Sequence, residues 1–278
     1  MIAAILVALS SLGAAGVGAW RVLASTDSAR DVHVQAGGLD RTYRLVVPRD
    51  LPSSRPAPLF LVLHGYTWSA GSFEAYIDFD RQAAALGAVA VYPKGFNASW
   101  DAGTCCGDAV RDGLDDVRFI EAVVAQVESV QSIDRHRIYA VGFSNGAMLA
   151  LRLACERPEL FAAVASVAGE LEVSDCAPDP PPSVLQIHGS ADAVVRYPGF
   201  VTWANTTVFD WWRHRAECSA QTTSVAGPGV TVRRAGGCSG STAVAEYEVA
   251  GGMHAWPRLK ALDASAAAAA FLSAHPRG

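Results

Sequence analysis

Five short runs of almost wholly apolar residues recur along this chain, and they constrain its fold more than any other feature. A strand with one face in solvent alternates apolar and polar residues. A continuous apolar run instead suits a strand buried on both faces, as in a parallel sheet covered by helices. The runs begin at residues 58, 88, 137, 161 and 183 and read PLFLVLHG, AVAVYPKG, RIYAVGFS, FAAVASVAG and SVLQIHGS.

Helical patterns separate these runs. Residues 114–129 place apolar side chains at three- and four-residue spacing, and a second helix from Ala147 stops at Pro158. Residues 203–216 and 261–274 predict two more helices. Strands that alternate with helices predict a mostly parallel, doubly wound α/β sheet with helices on both faces.

An antiparallel pair of strands is predicted over residues 31–36 and 41–48, before the parallel runs. Residues 31–275, which include this pair, are predicted to form one domain. Ligands bind beyond the carboxyl ends of the strands in sheets of this class. Functional residues are therefore expected where the apolar runs end.

The charge pattern bears on the partners of the chain. The net charge is −5, spread without long runs of one sign. Nucleic-acid binding usually needs a basic face, so no nucleic-acid partner is expected. No CxxC or HxxxH spacing occurs, so no metal site is expected either. The protein is expected to be a monomer.

The N-terminal residues 1–25 resemble a targeting segment. MIAAILVALSSLGAAGVGAW carries no charged side chain before Arg21, which predicts a secretory signal peptide. An uncleaved anchor is the alternative, because the run is nearly long enough to span a bilayer. Both interpretations predict a secreted or periplasmic protein, and contact with a membrane is expected only if the segment is retained.

The cysteine content agrees with export. An even number of cysteines in an exported chain favours disulfides. Cys218 and Cys238 flank a loop-rich stretch and are predicted to be bridged. The adjacent Cys105 and Cys106 are predicted to pair with different partners, one of them with Cys176. The six cysteines are Cys105, Cys106, Cys155, Cys176, Cys218 and Cys238.

The third apolar run ends in Gly142-Phe143-Ser144-Asn145-Gly146, and a helical pattern follows at once. A serine between two glycines at a strand-to-helix bend is the pattern of a nucleophile elbow. The glycines permit the bend, and the N-terminus of the helix points its dipole at the serine oxygen. Ser144 is therefore the candidate nucleophile. The alternative is a packing turn with an incidental serine.

A serine hydroxyl needs a base, and in this arrangement an acid and then a histidine follow it along the chain. His254 lies on a glycine-containing loop after the last strand pattern and is the candidate base. His188 ends a strand and is expected to be structural, His214 lies in a helix and His275 in the tail.

The candidate acid is Asp192. It follows the run SVLQIHGS on a short loop, at the carboxyl end of the strand. Asp175 and Asp179 precede that strand, and Asp210 lies within a helix. Asp192 is expected to hold the His254 imidazole in the required tautomer. The alternative is an aspartate that merely closes the turn.

An oxyanion hole needs two backbone donors. Asn145, which follows the candidate nucleophile, is expected to supply one through its N–H. Tyr66, after the run PLFLVLHG, is the candidate for the second, with Thr67 as the alternative. His64 is expected to brace this loop rather than to act as a base.

Trp68 lies two residues after Tyr66, Trp256 lies two residues after His254, and Trp100 lies on the loop over residues 96–108. All three are assigned to the walls of a substrate cleft. Packing in the core is an equally good interpretation of each. The loop over residues 96–108 follows the run AVAVYPKG, at the edge of the sheet where the candidate site residues are expected. It is expected either to shape the cleft or to be a surface loop held by a disulfide.

Several motifs in order resemble the polyhydroxybutyrate depolymerase-like esterases of the α/β-hydrolase superfamily, a group with feruloyl and acetylxylan esterase relatives. The resemblance covers residues 31–273. It implies an α/β-hydrolase fold, Ser144 as nucleophile, Asp192 as acid and His254 as base, and no metal or organic cofactor. The motifs are GFSNGAM, SWDAGTCCG followed by DDVRFI, IHGSADAVVRYPGF and GGMHAWP.

Two departures from the pattern of that group bear on the substrate. Tyr66-Thr67 stand where relatives often have Cys-Gly, and VVRYPGF stands where they often have Val-Pro-Tyr and two glycines. Neither change touches the candidate triad. Both lie close to the expected position of a substrate, so the resemblance does not extend to the ester.

The expected function is therefore that of a secreted serine esterase acting through an acyl-enzyme on short-chain, hydroxyalkanoate or aromatic-acid esters. The alternative within this class is a feruloyl or acetylxylan esterase acting on plant polysaccharide esters. A serine peptidase would be expected to carry insertions that restrict peptide entry. A non-catalytic carbohydrate- or lipid-binding protein would be favoured by an incomplete triad.

Overall fold

Five strands of the protein, at the centre of its sheet, coincide with the five apolar runs. A computed structural model describes residues 28–52, 54–201 and 206–278. The strands, in chain order, are β1 (Ser28–Ala36), β2 (Leu39–Val47), β3 (Ala57–Leu63), β4 (Val89–Pro93), β5 (Ile133–Phe143), β6 (Ala163–Val167), β7 (Ser183–Gly189), β8 (Phe200–Val201), β9 (Thr206–Thr207), β10 (Ala220–Gly227), β11 (Val230–Gly236) and β12 (Val244–Val249).

Ten of these strands form one sheet, in the order β1-β2-β4-β3-β5-β6-β7-β12-β11-β10. The strands from β4 to β12 in this order run parallel to one another. Antiparallel strands flank them on both edges, with β1 and β2 on one side and β11 and β10 on the other. The predicted mostly parallel α/β sheet with a leading antiparallel pair is confirmed.

Helices cover both faces of the sheet, as predicted. The helices are α1 (Ala70–Ile77), α2 (Phe79–Ala85), α3 (Asp108–Arg111), α4 (Asp116–Val130), α5 (Asn145–Glu156), α6 (Val208–Arg215) and α7 (Ala264–Ala274). Side chains of β3 alternate between the faces: Leu59, Leu61 and Leu63 pack with α4, α5 and α6, whereas Phe60 and Val62 pack with α1, α2 and α7. This alternation is why the central strands are apolar throughout.

The stretch between Cys218 and Cys238 is a β-hairpin rather than loop-rich. Val230 and Val232 of β11 are buried and alternate with polar residues, whereas every residue of β10 from Ala220 to Ala226 is exposed. An edge strand without a buried face carries no apolar periodicity, and the sequence pattern therefore missed it.

The disulfides correct one prediction and confirm another. Cys218 and Cys238 are bonded, as predicted. Cys176 is bonded to Cys155 at the end of α5, with 4.8 Å between the two Cα atoms. Cys105 and Cys106 are bonded to each other, so the prediction that they pair with different partners is wrong. The other four cysteines are bonded in the pairs Cys155–Cys176 and Cys218–Cys238, so none of them is free to pair with Cys105 or Cys106.

The predicted signal peptide over residues 1–25 lies outside the described residues, as does the start of the helix predicted from residue 203. Within the described ranges, no helix is long and apolar enough to cross a membrane. The same part of the chain holds no group of three or more His, Cys, Asp and Glu side chains arranged to bind a metal ion.

Candidate active site

Ser144 stands at the junction of β5 and α5, between Phe143 and Asn145. Its backbone has φ 53° and ψ −121°, a conformation that residues other than glycine rarely adopt. A Cβ atom at Gly142 would lie 2.2 Å from the carbonyl oxygen of Gly146, so the bend requires glycine there. The bend turns the Ser144 side chain toward the edge of the sheet where the strands end.

The structure brings Ser144, His254 and Asp192 together. His254 lies on the loop after β12, and its Nε2 is 2.9 Å from Oγ of Ser144. Asp192 lies on the loop after β7, and its Oδ2 is 2.8 Å from Nδ1 of His254. The Asp192 side chain is fully buried, whereas that of His254 is 18% exposed. Three strand ends thus deliver a hydroxyl, an imidazole and a carboxylate in hydrogen-bond contact.

The loop that carries Asp192 is held by its own backbone and by His188. Oδ1 of Asp192 accepts hydrogen bonds from the N–H groups of Val194 (2.9 Å) and Val195 (3.0 Å). Nε2 of buried His188 donates to the carbonyl of Val195 (2.8 Å) and lies 3.3 Å from Oδ2 of Asp192. The amide of Gln186 donates to Nδ1 of His188, and burial lowers the pKa of this imidazole. His188 is therefore a neutral side chain that positions the acid.

Replacing His188 by leucine removes both contacts of its Nε2 and keeps an apolar side chain in the core. We expect kcat for ester hydrolysis to fall about 10- to 100-fold with little change in KM, because Asp192 shifts relative to the imidazole. The exposed His33→Leu is the matched control. Steady-state kinetics and a thermal melt of both variants check this result. A His188→Leu enzyme with wild-type kcat would contradict the positioning role.

The candidate oxyanion donors lie on α5 and on the loop after β3. Asn145 is the first residue of α5, where a backbone N–H has no intrahelical partner. The N–H of Thr67 donates to the carbonyl of Ala98 at 2.9 Å. Within the described ranges, the N–H of Tyr66 forms no hydrogen bond. Tyr66 rather than Thr67 is therefore the better candidate for the second donor.

His64 braces the loop that carries Tyr66. Its Nε2 accepts from the N–H of Gly95 (3.0 Å), and its Nδ1 donates to the carbonyl of Gly65 (2.9 Å). Its own carbonyl accepts from the indole of Trp100 (2.8 Å). Burial lowers the pKa of His64 to about 4, so the ring stays neutral and both contacts persist at neutral pH.

The side chain of Asn145 has a role that its place in the elbow motif does not predict. Its Oδ1 accepts from the N–H of Trp100 (2.8 Å), and its Nδ2 donates to the carbonyls of Trp100 (3.1 Å) and Cys105 (3.3 Å). The side chain thus fastens the loop over residues 96–108 to the start of α5. These partners lie at least forty positions away in sequence, which is why no local pattern indicates them.

Two of the three tryptophans assigned to the cleft lie in the core. Trp100 is fully buried, and Trp256 is 2% exposed with its indole donating to Oγ of Ser265. Neither side chain forms a wall of the cleft, because their apolar rings are used in packing. Trp68 is half-buried, and its ring centre lies 5.2 Å from that of Tyr76. Because part of the Trp68 ring is exposed, it is available to a ligand.

Three exposed apolar side chains lie next to candidate site residues along the chain or are themselves candidates, and the sequence patterns did not indicate two of them. Val194 is 72% exposed and lies two residues after Asp192. Met253 is 74% exposed and directly precedes His254. Tyr66 is 44% exposed on the loop after β3. Exposed apolar groups beside a polar centre are typical of a site that binds an apolar ligand.

Two carboxyl groups meet beside the disulfide loop. Glu172 follows β6, is 7% exposed and accepts a hydrogen bond from the hydroxyl of Thr104. Burial, and then the neighbouring Glu170, raise the pKa of Glu172 to about 7. The carboxyl of Glu172 is thus largely protonated in mildly acidic solution.

The raised pKa of Glu172 predicts that the stability of the protein depends on pH. The pKa of Glu172 is about 7 in the folded protein against 4.5 ordinarily, so its contribution to stability is full below about pH 4.5 and is lost as the pH rises through about 7. Between about pH 5 and about pH 8, the wild type should lose roughly 1 kcal/mol more unfolding free energy than Glu172→Gln, allowing for solvent screening. Urea unfolding at both pH values measures this difference. The exposed Glu159→Gln is the control, and equal pH slopes in all three proteins would contradict the prediction.

Comparison with known proteins agrees with this architecture. A family model described as the α/β hydrolase fold matches residues 58–219. An acetyl xylan esterase from Aspergillus awamori superposes with a TM-score of 0.64 at 18% identity, covering 81% of this chain and 94% of that chain. A ferulic acid esterase from Anaeromyces mucronatus, solved with ferulic acid, superposes with a TM-score of 0.56 at 17% identity, covering 89% of each chain.

Curated relatives match over part of their length. The protein NocK of Nocardia uniformis subsp. tsuyamanensis, named as an esterase, is 39% identical over 181 residues, which are 64% of this chain and 52% of that protein. Feruloyl esterase C of Emericella nidulans is 36% identical over 177 residues, which are 60% of this chain and 61% of that protein. The chain thus spans between half and two thirds of the length of these relatives.

Proposed function

The chain belongs to the α/β-hydrolase fold family, and from this premise we propose that it is a serine carboxylic ester hydrolase that works through an acyl-enzyme. The observation that carries the proposal is the continuous contact from Oγ of Ser144 through His254 to Asp192, at 2.9 Å and 2.8 Å. A packing turn with an incidental serine would not need a buried carboxylate behind the histidine.

In the proposed reaction, Oγ of Ser144 attacks the ester carbonyl carbon while Nε2 of His254 takes the hydroxyl proton. The negative charge that develops on the carbonyl oxygen is held by the N–H groups of Asn145 and Tyr66. The bond to the alcohol oxygen then breaks, and His254 returns the proton to that oxygen. Water repeats both steps on the acyl-enzyme, which releases the acid and restores the Ser144 hydroxyl.

Asp192 supports the base in this scheme. Its Oδ2 accepts from Nδ1 of His254, so the imidazole must present an unprotonated Nε2 to Ser144. A buried carboxylate also stabilises the imidazolium that forms when His254 takes the proton. The contacts of Asp192 with two backbone N–H groups keep its orientation unchanged through the cycle.

For the acyl group, the exposed Val194, Met253 and Tyr66 favour an apolar or aromatic acid over acetate. The sequence alone is compatible with hydroxyalkanoate esters and with aromatic-acid esters. Relatives named as feruloyl esterase support the aromatic-acid esters. Three disulfides support a location outside the cytoplasm, where thiols are not kept reduced. We therefore favour an exported esterase for aromatic-acid esters.

A substrate panel tests this function. Purified protein is assayed on methyl ferulate, p-nitrophenyl acetate and butyrate, acetylated xylan and hydroxybutyrate oligomers, with Ser144→Ala as the blank. We expect hydrolysis of several esters, with the highest kcat/KM on methyl ferulate. Hydrolysis of hydroxybutyrate oligomers with none of methyl ferulate would overturn the choice of acid, and hydrolysis of no ester would overturn the esterase.

A further inference from the structure

The disulfide between Cys105 and Cys106 joins adjacent residues, whereas the other two disulfides join residues 21 and 20 positions apart. A disulfide stabilises a fold mainly by restricting the unfolded chain, and this effect grows with the number of residues in the closed loop. A bond between neighbours closes the shortest loop that a chain can form. The stability of the fold therefore accounts poorly for this bond, and its effect is to be sought in the residues around it.

On one side, the disulfide segment, residues 103–107, holds the residue that follows the candidate nucleophile. The carbonyl of Cys105 accepts a hydrogen bond from Nδ2 of Asn145 at 3.3 Å. Asn145 is fully buried, and its side chain also holds the N–H and the carbonyl of Trp100. Since the backbone N–H of Asn145 is the first candidate oxyanion donor, the position of the Cys105 carbonyl bears on that donor.

On the other side, the disulfide segment supports the second candidate donor. Gly107 follows the disulfide directly and has φ 86°, a backbone conformation that favours glycine. A Cβ atom on Gly107 would lie 2.7 Å from Cε2 of Tyr66, so the ring of Tyr66 lies directly against this backbone. The disulfide thus stands between the contacts to Asn145 and to Tyr66.

The outer part of the disulfide segment is fastened to buried Glu172. The hydroxyl of Thr104 donates to the Glu172 carboxyl. A Cβ atom on Gly103 would lie 2.7 Å from the carbonyl oxygen of Glu172, so the two backbones are in direct contact. With both ends of the segment held, the backbone of Cys105 and Cys106 is the part left free to rotate. The disulfide removes that freedom.

This restriction matters because an oxyanion hole stabilises developing charge only when its donors are fixed in advance. A misplacement of about 1 Å can lower a rate about 100-fold. If the backbone of the two cysteines could rotate, the carbonyl of Cys105 would shift relative to Asn145. Gly107 would shift relative to the ring of Tyr66 at the same time.

We propose that the Cys105–Cys106 disulfide is a positioning element for the oxyanion hole, and that it keeps the N–H groups of Asn145 and Tyr66 in fixed relative positions. The bond acts through these two residues and takes no part in the chemical steps. Its effect on catalysis rests on the proposed function, whereas its hold on the surrounding loops does not.

Amide hydrogen exchange, followed by NMR, measures the hold on the loops. Cys105→Ser/Cys106→Ser removes the bond and nearly keeps the size of both side chains. The N–H of Trp100 donates to the Asn145 side chain, and the N–H of Thr67 holds the loop after β3. We expect both amides to exchange at least about tenfold faster than in wild type.

The amide of Val141, in the central strand β5, is the internal control for global unfolding. Its exchange rate should change far less than those of the two loop amides. Exchange of the loop amides at the wild-type rate would overturn the hold of the disulfide on these loops. A rise no larger than that of Val141 would overturn it as well.

Kinetics test the effect on the oxyanion hole. In Cys105→Ser/Cys106→Ser, kcat on p-nitrophenyl acetate should fall about 10- to 100-fold, with KM changed less than about threefold. Affinity for a trifluoromethyl ketone should fall by a similar factor, because the oxyanion formed when Ser144 adds to its carbonyl lies in the hole. The control Cys218→Ser/Cys238→Ser should keep wild-type kinetics and melt at a lower temperature, since it opens a longer loop.

A reversible test uses this control protein without changing Cys105 or Cys106. Both cysteines are half-buried, whereas Cys155 and Cys176 of the other remaining disulfide are 7% and 8% exposed. Tris(2-carboxyethyl)phosphine should therefore reduce the Cys105–Cys106 bond first. The phosphine takes the oxygen of a water molecule, and the two hydrogens of that water appear on the sulfurs. We expect kcat to fall as two thiols appear and to recover when oxidised glutathione restores the bond.

The outcomes separate the positioning role from the proposed function. Wild-type kcat and inhibitor affinity after loss of the bond, by substitution or by reduction, would overturn the positioning role. Wild-type protein that hydrolyses no ester would contradict the proposed function. Faster exchange of the two loop amides in Cys105→Ser/Cys106→Ser would in that case still support the hold of the disulfide on the loops.

Discussion

Replacing His254 by alanine is expected to lower kcat for ester hydrolysis by about 10⁴- to 10⁶-fold, with folding unchanged. Nε2 of His254 is the group in contact with Oγ of Ser144, at 2.9 Å. Without it, the hydroxyl keeps its proton during attack, and no acid returns a proton to the leaving alcohol. The measurement is steady-state hydrolysis of p-nitrophenyl acetate by the purified variant, with circular dichroism to show that the fold is retained.

The control for this variant is His214→Ala, since His214 is an exposed histidine of α6 outside the site. That protein should keep wild-type kcat. A His254→Ala enzyme that retains more than about a tenth of wild-type kcat would mean that another group activates the serine. The assignment of the base would then be wrong even if Ser144 is the nucleophile.

Replacing Gly146 by alanine should lower the free energy of unfolding by at least about 3 kcal/mol. A Cβ atom at this position would lie 2.4 Å from the carbonyl oxygens of both Leu63 and His64. Those atoms belong to the backbone at the end of β3, so they cannot rotate away as a flexible side chain would. The start of α5 must therefore separate from β3, which also displaces the N–H of Asn145. Urea unfolding measures the loss of stability, and we expect kcat to fall with it.

Gly71→Ala is the matched control. Gly71 lies in α1, where a Cβ atom would meet nothing within 4 Å. We expect its unfolding free energy to be unchanged or raised by up to about 1 kcal/mol. If Gly146→Ala were within about 1 kcal/mol of the wild type, the close approach of β3 and α5 would not need glycine.

The fold could be predicted from sequence because its signals are local. Each parallel strand is buried on both faces, so it appears as a continuous apolar run, and each run ends at the same edge of the sheet. Ser144, Asp192 and His254 each follow a strand, which made them candidates, and the structure brings their side chains into contact. A chain order of serine, acid and histidine narrowed the choice further.

Other features depend on contacts that sequence patterns do not record. Trp256 lies beside His254 in sequence and Trp100 lies on the loop over residues 96–108, but both rings turn into the core. The pairing of Cys155 with Cys176 depends on where α5 ends relative to the segment after β6. The hydrogen bonds of the Asn145 side chain reach residues at least forty positions away. Such placements follow from the packing of the sheet and not from periodicity.

A cleft of about 930 Å³ beside the loop that carries Tyr66 is the clearest case. Its walls come from the β1–β2 hairpin, from α1 and α2, from the loop after β4 and from Arg258, which are far apart in the chain. Each of its charged residues, taken alone in the sequence, is an ordinary surface residue. The pairs Arg44–Glu74 and Lys94–Asp31 become evident only when the antiparallel edge of the sheet is built.

Active-site labelling shows whether Ser144 is an activated nucleophile, as the contact of its Oγ with His254 predicts. The protein is treated with a fluorophosphonate and digested with trypsin, and the peptide spanning residues 138–152 is analysed by mass spectrometry. We expect one phosphonyl adduct, on Ser144, which forms far more slowly in His254→Ala and is absent from Ser144→Ala. An adduct on another serine, or esterase activity that survives in Ser144→Ala, would contradict it.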